Sequence, residues 1–428
     1  MNRYLANLRD SEANDASRFG PKAANQARLG HAGLPIPEGF CLDVVAYHRQ
    51  LESLGLLKSV HNAVTMTGLE ARQYVSEVRI GLFDSPIVPE VLDPTLEAWR
   101  DLVGKTGART VVRSSALSED LADSSFAGQY ETFLDIDGEE DFLTAVRACW
   151  AALWSPRALR YMESHKIDLA DTAMGLCIQE LINARTSGGG MSQSADGNAT
   201  LTATRGLGTT IAQGETVPDR YILSHECELL ETIPGRTQHN MGCEHYSAGS
   251  NVATKASEPD VGPCLSESQA VELGTYMRRA EAMMGEAVEI EWAQDDRGIR
   301  LLQARPLQME TSQTLDQSWA RHPGLRGQPS GTGSALGRAC VINCECELSR
   351  VGPGDILVTK VASPSLSQVL SRVAGVVAEL GGSTSHLASL ARERRIPMVL
   401  GVLEATSKIP DGADIGIDGV MGMVRWQQ

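Results

Sequence analysis

Two periods of apolar and polar residues run through this chain. From the N-terminus to about residue 310, short apolar runs that alternate every second residue are interleaved with stretches whose apolar positions recur every three to four. The first period belongs to strands and the second to amphipathic helices. Their interleaving predicts a mixed α/β (α+β) region over 1–310. Residues 311–333 (TSQTLDQSWARHPGLRGQPSGTG) lose both periods and become rich in Gly, Ser, Gln and Pro, the composition of a flexible linker. Strand-like runs return at Ala339–Ile342, Asp355–Thr359 and Ala374–Leu380, followed by a helical pattern and a further strand, Met398–Val402. Residues 334–428 therefore read as a second, smaller domain. There is no internal repeat.

The strand ending at Leu380 runs into Gly381-Gly382-Ser-Thr-Ser-His386-Leu-Ala-Ser-Leu-Ala-Arg-Glu-Arg-Arg395. The glycine pair permits a tight turn with unusual backbone angles. Ser383 or Thr384 can then cap a helix through Arg394, with Leu387, Leu390 and Ala391 on its apolar side. His386 falls in the first helical turn, where free N–H groups and the positive end of the dipole favour an anion such as a phosphoryl group. A neutral imidazole is a nucleophile able to take and return that group. Taken alone, the pattern more often belongs to a histidine that merely packs or caps at a helix start.

A second set of residues lies in the first region. Arg109-Thr-Val-Val-Arg113-Ser-Ser-Ala is a short strand ending in a cation and hydroxyls, followed by Glu119-Asp120 and by Ser124-Ser-Phe-Ala-Gly128-Gln-Tyr-Glu131. A Ser/Gly loop beside a fixed arginine suits close approach to polyphosphate. Downstream, Glu289-Ile-Glu291-Trp-Ala and the strand from Ile299 into Gln303-Ala-Arg305-Pro alternate, with Glu289 and Glu291 on one face and Gln303 and Arg305 on one face. Paired as a hairpin, they bring two carboxylates, an amide oxygen and a guanidinium together, a reasonable Mg²⁺-phosphate site. The plain alternative is a solvated strand face.

Composition narrows the function classes. A net charge of −16 argues against a nucleic-acid partner, since phosphate backbones need clustered Lys and Arg. The N-terminus has charges every few residues and no apolar centre, and there is no apolar run of membrane-spanning length. A cytoplasmic location is therefore expected. The nine cysteines are an odd and scattered set, expected to be reduced. Cys340, Cys344 and Cys346 form a C-x3-C-x-C cluster without a matching second pair, which argues against a metal there.

The motifs together carry a resemblance. Gly381-Gly-Ser-Thr-Ser-His386, Ala391-Arg-Glu-Arg-Arg-Ile-Pro397 and Gly401 resemble the mobile phosphohistidine domain of the phosphoenolpyruvate synthase and pyruvate phosphate dikinase family. Gly333-Ser-Ala-Leu-Gly337 resembles its opening strand, and Asp411-Gly412 with Ile417-Asp-Gly-Val-Met-Gly422 its closing hairpin. Phe19-Gly-Pro-Lys22, Leu34-Pro-Ile-Pro-Glu-Gly-Phe40, Val112-Arg113-Ser-Ser-Ala and Ser125-Phe-Ala-Gly128-Gln-Tyr-Glu-Thr-Phe are similar to segments of the family's ATP-grasp nucleotide-binding domain. Trp154-Ser-Pro-Arg157, Gln179-Glu180, Gly206-Leu-Gly208 with Pro218-Asp219, and I-E-W followed by L-Q-A-R-P continue the series in the family's order.

The resemblance implies an ATP-grasp domain followed by a small swivelling β/β/α phosphohistidine domain. It makes His386 the phosphorylated residue and assigns ATP phosphates to Lys22, Arg113 and Arg305. Gly128, Gln179 and Glu180 join the ATP-binding set, while Glu291 and Gln303 take Mg²⁺. Two departures stand out: Thr209 replaces a usual Glu, and Pro21 replaces a usual Gly and stiffens the loop before Lys22. Ser187-Gly-Gly-Gly190-Met matches the family's segment more weakly and reads as a flexible lid.

The family's pyruvate-binding barrel has no counterpart before Gln428. The expected acceptor is a small molecule, with a pocket at the domain interface or shared with a second subunit. The alternatives are a relay that phosphorylates or serves a partner protein carrying the acceptor site, as in the split phenylphosphate synthases, and a degenerate ATP-binding regulatory subunit.

Overall fold

The computed structural model describes residues 3–119, 130–194, 196–235, 262–307, 315 and 317–427. The chain begins with strand β1 (Leu5–Asn7), helix α1 (Ala16–His31) and strand β2 (Gly39–Leu42). Four helices follow: α2 (Val44–Ser53), α3 (Leu57–Thr65), α4 (Gly68–Asp84) and α5 (Pro89–Thr106). Next come β3 (Thr110–Ala116), β4 (Thr132–Ile136), α6 (Glu139–Ala152), α7 (Pro156–His165) and β5 (Met174–Glu180). Strands β6 (Thr186–Met191) and β7 (Ala199–Arg205), short helix α8 (Thr209–Ala212), β8 (Asp219–Leu223) and β9 (Leu229–Ile233) form an antiparallel meander. Helix α9 (Glu267–Met284) precedes the hairpin of β10 (Val288–Asp295) and β11 (Gly298–Pro306).

The chain divides into two compact units. One comprises residues 1–183 and 279–306, the other residues 184–278 and 307–428. In the first unit, an antiparallel sheet of order β1-β2-β5-β3-β4 is packed by α1, which also lies against β11. The amides of Gln26 and Asn25 on α1 donate to the carbonyls of Leu301 (2.7 Å) and Ala304 (3.4 Å), tying helix to hairpin. Helices α5 and α6 bring Trp99 and Phe142 into a stack with centroids 5.2 Å apart.

The second unit holds the meander and an eight-stranded sheet. Its strands are β12 (Gly324–Arg326), β13 (Gln328–Pro329), β14 (Ser334–Ile342), β15 (Ile356–Thr359), β16 (Gly375–Ala378), β17 (Met398–Leu400), β18 (Asp414–Asp418) and β19 (Met423–Trp426). Helix α10 (His386–Glu393) follows β16, and α11 (Ala405–Lys408) follows β17. The sheet order is β12-β19-β18-β14-β15-β16-β17-β13. β14, β15, β16 and β17 run parallel, and the flanking pairs are antiparallel. Val341, Val358, Val377, Val399 and Ile417 form the centre of its core. Parallel strands are covered on both faces and so read as continuous apolar runs. The composition of 311–333 reads as linker, yet Gly324–Arg326 and Gln328–Pro329 pair with β19 and β17. These strands are two and three residues long, too short to show a period.

Candidate active site

The start of α1 is shaped by Gly20 and Pro21. Gly20 has φ 78°, and a Cβ there would lie 2.1 Å from the carbonyl oxygen of Ser115. Only glycine fits this crossing. The helical path is interrupted at Gly20, so Pro21 opens the following helical segment, where its missing N–H has no intrahelical role. Ser115 Oγ accepts from the backbone N–H of Ala23 at 3.0 Å and satisfies one of the segment's free donors. Lys22, in that first turn, donates from Nζ to the Ser114 carbonyl (3.0 Å) and to Glu119 Oε1 (2.5 Å). Glu119 is buried, and its other oxygen accepts from the N–H of Ala116 at 3.1 Å.

β10 and β11 pair with Glu289 opposite Arg305 and Glu291 opposite Gln303. The register shifts between Glu291 and Trp292, whose partner is Leu301, so Leu302 is the extra residue of a β-bulge. Its carbonyl, released from the ladder, accepts from Arg113 Nη1 at 2.6 Å. Arg113 Nη2 donates to Gln303 Oε1 (2.8 Å) and Glu291 Oε2 (3.2 Å). Two oxygen acceptors from neighbouring strands thus converge on one guanidinium. Arg305 Nη2 lies 3.0 Å from Glu289 Oε2, with both side chains buried.

On β5, Gln179 is 1% exposed, and its amide nitrogen has no hydrogen-bond partner among the described residues. Gln179 stands opposite Val111, and Cys177 opposite Arg113, so Gln179 and Arg113 share a face of the sheet. The Glu180 carboxylate accepts from the N–H of Glu38 (3.2 Å) and from Arg297 Nη1 (2.9 Å), bracing the strand end. Beside this face, hydrogen bonding to Cys177 and burial push the Cys41 thiol up, and burial does the same to Cys149. Both therefore stay protonated and inert. Gly128 lies outside the described residues.

In the second unit, His386 is the first residue of α10, at the C-terminal end of parallel strand β16. Its cap is Ser385, whose Oγ accepts from the N–H of Ala388 at 3.3 Å. The cap expected at Ser383 or Thr384 is thus one or two residues late, because Gly381 (φ 115°) and the Ser385 N–H bond to Gly382 O prolong the turn. Arg392, one helical face further on, donates to the Ser383 carbonyl at 2.6 Å. Gln328 Oε1 accepts from the N–H of Ser383 at 3.3 Å. The Ser383 hydroxyl is buried without a hydrogen-bond partner among the described residues.

Residues 16–322 match the family described as pyruvate phosphate dikinase, AMP/ATP-binding domain. This chain belongs to that family. Residues 351–422 match the PEP-utilising enzyme mobile domain. Relatives of the dikinase-family chain include the phosphoenolpyruvate synthase of Aeropyrum pernix, 31% identical over 95% of this chain and 56% of that protein. The phosphoenolpyruvate synthase of Pseudomonas aeruginosa is 29% identical over 99% and 57%. A probable phosphoenolpyruvate synthase of Methanothermobacter thermautotrophicus is 28% identical over 99% and 64%. The chain spans somewhat over half the length of these curated relatives.

Within the first unit, the dikinase-family chain brings Arg113, Glu291 and Gln303 into direct contact, with Lys22 on the carbonyl next to Arg113 and Arg305 two residues beyond Gln303. His386 belongs to the other unit. Sequence reasoning passed over Glu119 as a partner for Lys22, and Arg392 and Gln328 as braces of the histidine loop. Glu119 stood in the quoted motif without a role. Gln328 carried no signal, since its contact spans 55 positions. Ser187–Gly190, expected as a lid, is part of strand β6, paired residue by residue with β7. Its glycines read as loop because a strand of bare backbone has no side-chain period. Among the described residues, no helix is long and apolar enough to cross a membrane.

Proposed function

We propose that this chain is an ATP-dependent, dikinase-type phosphotransferase. It autophosphorylates His386 and passes the phosphoryl group to a small-molecule acceptor. The observation that carries the reading is the Gly381–His386 turn. It is a glycine loop at the end of a parallel strand, braced by Arg392 and Gln328, with the histidine opening a capped helix. The free N–H groups of that first turn favour the doubly charged group the imidazole would carry.

Lys22, Arg113 and Arg305 would hold the ATP phosphates, and Gln179 offers a buried amide donor along the same sheet face. Glu291 and Gln303 fit Mg²⁺, because their oxygens are hard donors already converging on one cation, Arg113. Among the described residues no three acidic, His or Cys side chains form a complete cation cage, so water and phosphate oxygens would fill the remaining positions. An ion held there supplies charge neutralisation at the phosphate oxygens.

In the transfer, a ring nitrogen of His386 forms a P–N bond to the β-phosphorus as its bond to the AMP oxygen breaks. The γ-phosphate leaves as phosphate with water consumed, or as pyrophosphate where inorganic phosphate takes the place of water. Positioning and neutralised charge provide the acceleration.

The test is incubation with Mg²⁺ and ATP labelled separately at the β and γ positions. Acid-labile, base-stable β-label on His386 and one AMP per label are expected. His386→Ala should abolish labelling and leave ATP affinity within twofold, since the ATP-binding residues belong to the other unit. Absence of both label and AMP, with and without candidate acceptors or a co-expressed partner, would overturn the reading. Label that only a partner protein discharges would assign the acceptor to that partner.

A further inference from the structure

The histidine loop rests on the β6–β7 hairpin, within one compact unit. Thr384 Oγ1 lies 2.8 Å from Thr202 Oγ1 on β7. The Thr384 side chain covers the bare backbone of Gly189 on β6, where an added Cβ would come 2.6 Å from Thr384 Cβ. Thr202 Oγ1 also accepts from the Gly189 N–H at 3.3 Å, so its hydroxyl ties both strands to the loop. Alongside, the Gly381 N–H donates to the Thr216 carbonyl at 3.1 Å. Gly382 approaches the Pro218 ring so closely that a Cβ would stand 2.9 Å from its Cγ.

We infer that Thr202 and Gly189 form a keyed seat for Thr384, and that this seat positions His386 for loading. Thr202 is a positioning residue acting two positions from the histidine it serves. The contact consists of glycine backbone, hydroxyls and one proline ring. It fixes register through shape and two hydrogen bonds, without the burial of large side chains that binds elements permanently. Gly189 is bare because any side chain would occupy the place of Thr384, which also explains a glycine in a buried strand.

The loading arm of the test rests on the phosphohistidine reading, and the exchange arm does not. Hydrogen exchange of the full chain without nucleotide would follow the peptide from Ala378 to His386 in wild type, Gly189→Val, Thr202→Val and Thr202→Ser. Valine suits a strand, and Thr202→Val keeps the shape while removing the hydroxyl. Both valine variants should speed exchange in that peptide at least tenfold, with Thr202→Ser close to wild type. His386 labelling at saturating ATP should fall at least tenfold in both, and discharge of preloaded label should not change. Exchange within twofold of wild type in both valine variants overturns the seat. Unchanged loading alongside faster exchange overturns its role in positioning. If wild type takes no label, the phosphotransfer reading fails and exchange alone decides whether the seat exists.

Discussion

Arg305 and Glu289 face each other across β10 and β11 with little of either side chain exposed. Removing one member of a buried pair strands the other charge, which typically costs about 3–5 kcal/mol. Arg305→Ala should therefore lower stability by roughly 3 kcal/mol and weaken ATP binding at least tenfold. Arg305→Met combined with Glu289→Leu should recover most of the stability and none of the affinity. Urea denaturation and ATP titration check both arms, and wild-type affinity in either variant would remove Arg305 from the phosphate site. At this scale the sequence was informative wherever a residue's role follows from its neighbours on one strand. Alternation put Glu289 with Glu291 and Gln303 with Arg305, and the observed register sets the two pairs face to face. The bulge at Leu302, which supplies the carbonyl for Arg113, leaves no mark in the alternation, because it depends on the partner strand.

At the level of elements, the loop before Lys22 is governed by one contact between a helix start and β3. A Cβ on Gly20 would meet the Ser115 carbonyl, and the left-handed backbone there is strained for any other residue. Gly20→Ala should destabilise the chain by more than about 1 kcal/mol and displace Lys22, raising the ATP dissociation constant. Pro21→Ala should cost less than about 1 kcal/mol, mainly through the freer unfolded chain. Thermal melts of the two variants would separate them, and equal losses would refute this account of Pro21. The proline is thus explained as the first residue of a helical segment. The histidine helix was legible for a similar local reason, since glycines, a hydroxyl cap and an apolar stripe all lie within a dozen residues. Strands β12 and β13 were not, because their partners β19 and β17 lie far along the chain.

For the whole molecule, the division into two compact units predicts unfolding in two steps. Trp99, Trp150, Trp154 and Trp292 belong to the first unit, and Trp319 and Trp426 to the second. Calorimetry should show two transitions. Mg²⁺-ATP at a hundred times its dissociation constant should stabilise the first unit by about 2.7 kcal/mol, raising the transition that dominates tryptophan fluorescence. A single transition raised as a whole would mean the units unfold together. Periodicity along the chain identified strands and helices in both regions but carries no information on which distant segments share a core. That is why residues 279–306 could be assigned chemistry from the sequence, while their membership of a unit with residues 1–183 came only from the structure.

That interrupted unit bears on how the protein is made. The sheet of β1 to β5 emerges from the ribosome long before β11, whose carbonyls receive Gln26 and Asn25 of α1. Roughly 120 residues separate Asn183 from Pro306, which at about 5–20 residues per second is on the order of 6–25 s of synthesis. Through that interval the face of α1 that will meet β11 stays uncovered, so the first unit closes only when the chain returns to it, late in synthesis.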